Sequence, residues 1–131
     1  MLRLTFVPLL LLATPAFADQ LRCDGPLAAD STEARLVEAF GRENVVTGDI
    51  PGPEGSTILA TVVFPDDPER RMEIGWWDEE GLTQLAYFTV PEKDTAPQGV
   101  KTGMTVKEVE ALNGGPFEMQ GFWWDYGGYA N

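Results

Sequence analysis

The sequence predicts an α+β fold: a single domain with an antiparallel β-sheet of about four strands and two short helices packed on one face. Three observations carry that expectation. Two short segments show helical apolar spacing between an N-terminal cap and a glycine stop. Between them, runs of alternating apolar and polar residues are joined by short acidic turns. The chain, at 131 residues, has room for one core and not for two.

Taken in order, Met1-Leu2-Arg3 is a short basic start, Leu4 to Ala13 is almost wholly apolar, and Ala16-Phe17-Ala18 has the small-x-small form that a signal peptidase cuts after. The apolar run is roughly half of the ~20 residues needed to cross a bilayer. Residues 1–18 are therefore expected to be a cleaved signal peptide, which places the protein in the periplasm or outside the cell, with no membrane span. Residues 19–29 hold Gly25-Pro26 and no periodicity, so an extended N-terminal arm is expected there, and residues 30–131 form the domain.

Asp30-Ser31-Thr32-Glu33 has the spacing of a capping box, Leu36, Ala39 and Phe40 follow at helical spacing, and Gly41 supplies a stop. A helix over 31–40 is expected. Asn44 to Val46 opens a strand, but Gly48, Pro51, Gly52, Pro53 and Gly55 make the next stretch a loop. Thr57 to Phe64 is β-branched and apolar on both faces, as a central strand requires. Arg71 to Trp77 and Thr83 to Val90 alternate, and the turns Pro65–Glu69 and Asp78–Gly81 link the three runs as a meander. Thr105-Val106-Lys107-Glu108 is a second capping box, with Val106, Val109 and Leu112 as its buried stripe and Asn113-Gly114-Gly115-Pro116 as its end. Phe117 to Trp124 reads as the last strand. The spacing from Thr32 to Gly41 matches that from Thr105 to Gly114, a weak internal repeat.

Composition excludes much chemistry. With 9 Lys+Arg against 21 Asp+Glu and a net charge of -12, the surface repels phosphate backbones and anionic lipid heads, so no nucleic-acid partner is expected. There is no histidine, which rules out Ser-His-Asp and Cys-His nucleophiles and histidine-ligated metals. Ser31 and Ser56 are the only serines and neither sits in a G-x-S-x-G elbow. Cys23 has no partner cysteine in the chain and no base to activate it. No cofactor and no catalytic residue are expected. Three carboxylate groups remain: Asp66-Asp67-Glu69, Asp78-Glu79-Glu80, and Asp49 with Glu54. Turn carboxylates are usually solvated, and the first group does not match a twelve-residue calcium loop.

Trp76-Trp77-Asp78 and Trp123-Trp124-Asp125 echo each other. Adjacent strand residues point to opposite faces, so one indole of each pair should be buried and the other exposed or under the helices. Two aromatic platforms for a ligand are one reading. A strand that ends in an acidic turn with a core tryptophan is the plainer one. The cluster Phe122, Trp123, Trp124, Tyr126 and Tyr129 among glycines is the best surface-binding candidate, with Trp123, Trp124, Asp125 and Tyr126 as its centre.

The block Gly103-Met104-Thr105-x-x-Glu108-Val109-x-x-Leu112-x-Gly114-x-Pro116 resembles a signature of small periplasmic helix–sheet domains, those of outer-membrane-assembly lipoproteins and β-lactamase inhibitor proteins. Leu112-Asn113-Gly114-x-Pro116-Phe117 followed by Gly121-Phe122-x-Trp124-Asp125-Tyr126-Gly127-Gly128 more closely resembles a family of uncharacterised bacterial exported proteins. Phe40-Gly41-x-x-Asn44-Val45 and Phe64-Pro65-Asp66-Asp67-Pro68 extend that likeness over most of the chain. The resemblance implies a small α+β domain of the cell envelope that acts by binding a protein or envelope component, and it carries over no catalytic residue. The alternative from another class is a carboxylate-dependent glycan hydrolase or glycan-binding module.

Overall fold

The computed structural model describes residues 20–121. Helix α1 spans Glu33–Phe40, strands β1 to β4 span Val45–Pro51, Thr57–Val63, Met72–Asp78 and Thr83–Phe88, and helix α2 spans Val106–Asn113. The strands form one antiparallel sheet in the order β1-β2-β3-β4. The α+β class with a four-stranded antiparallel sheet and two helices is thus as the sequence predicts.

The identity of the strands differs. Residues 48–51, expected as loop, belong to β1, which pairs with β2 from Val45↔Val63 to Pro51↔Thr57. The register explains why the breakers are tolerated. Phe64 N–H donates to Asn44 C=O and Gly52 N–H to Ser56 C=O. Even-numbered residues of β1 therefore turn their polar backbone groups toward β2, and odd ones turn them to the sheet's rim. Pro51 lacks an N–H where the ladder would not use it, and Gly48 lies opposite Ala60. The expected strand 117–124 is not formed over its described part: Phe117 to Gly121 is irregular apart from a single bridge at Met119, and residues 122–124 lie outside the described residues.

α1 starts two residues later than the capping-box reading. Thr32, not Asp30, is the cap, its hydroxyl accepting from Arg35 N–H. Asp30 pairs instead with the Arg35 guanidinium at 3.0 Å. Gly41 ends the helix at φ 89°, where a side chain would be strained.

The two faces of the sheet hold separate apolar clusters. On the inner face Leu36 of α1 meets Val45, Val63, Met72, Ile74, Trp76 and Leu85, and Leu27 from the N-terminal arm completes the group. The arm is further tied down where Leu21 N–H donates to Thr95 C=O at 2.8 Å. Ile50, Ala60 and Val62 form the cluster on the outer face, with Ile58 against it. A register shift between Gly75 and Trp76 skips Ala86, so Leu85 and Phe88 both reach the inner cluster. The strict alternation expected for Thr83 to Val90 is broken by that bulge. β2 and β3 share only three residue pairs, Thr61↔Ile74 to Val63↔Met72.

α2 is capped as predicted: Thr105 Oγ1 accepts from Glu108 N–H, and Thr105 N–H donates to the Glu108 carboxylate at 2.7 Å. Its expected buried stripe is only partly covered, however: Val109 is half-buried. Val106 is 46% and Leu112 47% exposed, and no residue of α2 is buried. Among the described residues, α1 is the helix that places a fully buried side chain on the sheet. Leu112 approaches the connector instead: a Cβ placed on Gly99 would lie 3.9 Å from its Cδ1.

Candidate functional site

The expected split of Trp76 and Trp77 is met. Trp76 is 5% exposed and its indole N–H donates to Thr61 Oγ1 at 2.9 Å. Thr61 Oγ1 lies 2.7 Å from Thr47 Oγ1, which in turn donates to the Glu33 carboxylate at 3.3 Å. The indole can only donate and the carboxylate can only accept. The proton order is therefore fixed: Trp76 to Thr61, Thr61 to Thr47, Thr47 to Glu33, with Arg42 3.5 Å from the same carboxylate. This chain joins β3, β2, β1 and α1, and it satisfies polar atoms that would be costly to bury alone.

Trp77 points the other way and is 76% exposed. The outer face also carries Val46 of β1, 52% exposed, and Tyr87 of β4, 43% exposed. The exposed large apolar side chains of the sheet therefore all lie on one face. The glycine at 75 is needed for this arrangement. Gly75 pairs with Tyr87, and the tyrosine ring occupies the space that a Cβ on Gly75 would fill. A large ring laid over a cross-strand glycine fixes both ring and register.

The first two carboxylate groups do not converge, while Glu54 of the third lies in the β1–β2 turn, at the same end of the sheet as the second. Asp66, Asp67 and Glu69 sit in the β2–β3 turn, and Asp78, Glu79 and Glu80 begin the β3–β4 turn. These turns lie at opposite ends of β3, roughly 20 Å apart for a strand of that length. Glycosidic cleavage needs two carboxyls within about 5–10 Å. Asp67 is engaged locally, accepting from Glu69 N–H at 3.1 Å. Asp78 accepts from Gly81 N–H and Thr83 Oγ1, both at 3.0 Å. Those bonds, led by the Gly81 N–H, hold its carboxyl below the ordinary value, the opposite of what a general acid requires. Glu108 is lowered in the same way by the backbone N–H and then the hydroxyl of Thr105. Among the described residues no three Cys, Asp or Glu side chains converge to hold a metal ion.

A recess of about 570 Å³ lies between the arm and α1, lined by Pro26, Ala28, Asp30, Arg35 and Glu38 among others. It is open to solvent, and the Arg35–Asp30 pair lies on its wall. Cys23 is exposed, beside Pro97 and Gln98. Among the described residues no helix is long and apolar enough to cross a membrane.

Trp123, Trp124, Asp125 and Tyr126, the sequence-predicted binding residues, lie outside the described residues, as does the 1–18 segment. On sequence alone the Trp76-Trp77 pair counts as one of two aromatic platforms, but Val46, Trp77 and Tyr87 are not included in the candidate site. The signal was present for Trp77, since Trp76 and Trp77 must face opposite ways. It was hidden for Tyr87, because the bulge changes which face that ring occupies. Comparisons with protein-family models, with curated proteins and with solved structures find no match.

Proposed function

We propose that this chain is an exported, non-enzymatic domain of the bacterial cell envelope that binds a protein or envelope component through the outer face of its sheet. One observation carries the reading: Val46, Trp77 and Tyr87 expose apolar surface on the same face. A tryptophan left 76% in water at a strand end adds nothing to the core, whereas exposed aromatics are the side chains that dominate protein interfaces. The leader pattern of residues 1–18 supports export. The separation of Asp66, Asp67 and Glu69 from Asp78, Glu79 and Glu80, together with the lowered Asp78 carboxyl, supports binding over glycan hydrolysis.

The test is in-cell cross-linking of the exported protein followed by mass spectrometry, with Trp77→Ala and Val46→Ser as variants. The expected result is a reproducible neighbour that both variants lose while their thermal unfolding stays unchanged. Turnover of a cell-wall polysaccharide by the purified protein would overturn the proposal. Amino-terminal sequencing of the periplasmic fraction should begin at Asp19, and unprocessed protein in the cytosol would remove the export step.

A further inference from the structure

Trp77 stands at the end of the sheet that carries the β1–β2 and β3–β4 turns. The cation that the described contacts place at that end is Arg35, on the helix that starts against β4 at Thr32↔Thr83, and it pairs with Asp30. The sequence has no Lys or Arg between Arg42 and Arg70, and none between Arg71 and Lys93. The turns at that end supply Glu54, Glu79 and Glu80, all exposed, while Asp78 is held by Gly81 N–H and Thr83 Oγ1. Every arginine of the described residues is already engaged. Arg22, Arg35, Arg42 and Arg71 pair with Asp24, Asp30, Glu33 and Glu73, and Arg70 lies 3.5 Å above the Phe64 ring centroid. The remaining cations, Lys93, Lys101 and Lys107, belong to the connector and α2.

An exposed indole followed in the chain by the exposed carboxylates of Glu79 and Glu80 selects its occupant by charge. A second copy of this acidic chain is repelled, and so are phosphates and anionic lipids. Neutral apolar partners gain nothing from the carboxylates. A guanidinium gains twice, because it stacks on an aromatic face while its N–H donors reach carboxylate oxygens. The Arg70–Phe64 pair shows the same stacking within this fold. We infer that the outer face around Trp77 docks an arginine-bearing segment of a partner protein, the indole stacking on a guanidinium and the turn carboxylates of residues 78–80 and Glu54 steering it in. This rests on the binding role proposed above and names the chemistry of its partner.

The test is fluorescence anisotropy of the purified protein with three short labelled peptides of equal length: arginine-rich, lysine-rich and neutral glycine–serine. Binding should rank arginine above lysine, with no measurable binding of the neutral peptide, and should weaken with salt. Trp77→Ala should weaken the arginine peptide roughly three- to thirty-fold, and Trp77→Phe should lose less. Glu79→Gln with Glu80→Gln should flatten the salt dependence. Equal affinity of the Trp77→Ala protein would reduce the effect to unspecific charge attraction and sink the inference. Binding of a neutral cell-wall oligosaccharide at Trp77 in place of the arginine peptide would do the same. If the peptides fail while the cross-linked neighbour persists, only this inference fails. If both fail, the binding role goes with it.

Discussion

The two helices are alike in sequence and unlike in what they do. Each has eight residues, a threonine cap and a glycine stop. α1 drives Leu36 to 0% exposure between the arm and the sheet, and its Glu33 accepts the end of the buried polar chain. α2 has the more complete cap of the two and no fully buried residue, with Val109 half-buried. Capping decides that a helix forms and where it begins; it does not decide whether the helix meets a core. That depends on what the rest of the chain places against the apolar stripe.

The largest expected effect comes from breaking the buried side of this comparison. Leu36→Ala should cost about 2–5 kcal/mol in urea unfolding, whereas Leu112→Ala should change stability by less than about 0.5 kcal/mol. Equal losses would mean that α2 is as well packed as α1. Next comes Thr61→Val, which keeps the shape and removes the central hydroxyl of the polar chain. It should cost about 1–3 kcal/mol by leaving the Trp76 N–H unmet, measured in the same unfolding assay. Thr105→Ala should cost about 0.5–2 kcal/mol of local helix stability. The loss should appear as faster amide exchange within α2 and leave the global unfolding midpoint nearly unmoved.

The smallest effect is acid sensitivity. Asp78 and Glu108 are both held below their ordinary values of 3.8 and 4.5 by hydrogen bonds to the ionised form, led by Gly81 N–H and Thr105 N–H. A lowered folded pKa contributes stability at neutral pH that disappears as pH falls below those ordinary values toward the folded ones. Exchange in the β3–β4 turn and at the α2 N-terminus should therefore rise in acid, and Glu108→Gln should remove the pH dependence in α2.

Much of the fold was legible because its signals are local. β2, β3 and β4 follow from β-branched content and alternation, and both helices follow from their capping-box spacing and from Gly41 and Gly114, although Thr32 replaces Asp30 as the cap of α1. β1 was misread because Gly48 and Pro51 are breakers in isolation; only the pairing with β2 shows that Pro51 sits where its missing donor is harmless. The exposed face was half legible. Trp77 could be read from its neighbour Trp76, but Tyr87 could not, because the skipped Ala86 is a property of two strands together and leaves no mark in one. Exposure of the α2 stripe was equally hidden, since periodicity reports a face and not its neighbour.

The short ladder between β2 and β3 has a mechanical consequence. β1 and β2 are joined along seven residue pairs, while the junction to β3 spans three. The weakest seam of the sheet therefore runs through its middle instead of along its rim. Under load the molecule should part as two ribbons, the amino-terminal pair from the carboxy-terminal pair. The Trp76 indole, hydrogen-bonded to Thr61 across the join, acts as the stitch, and its fluorescence should report the first moment of separation.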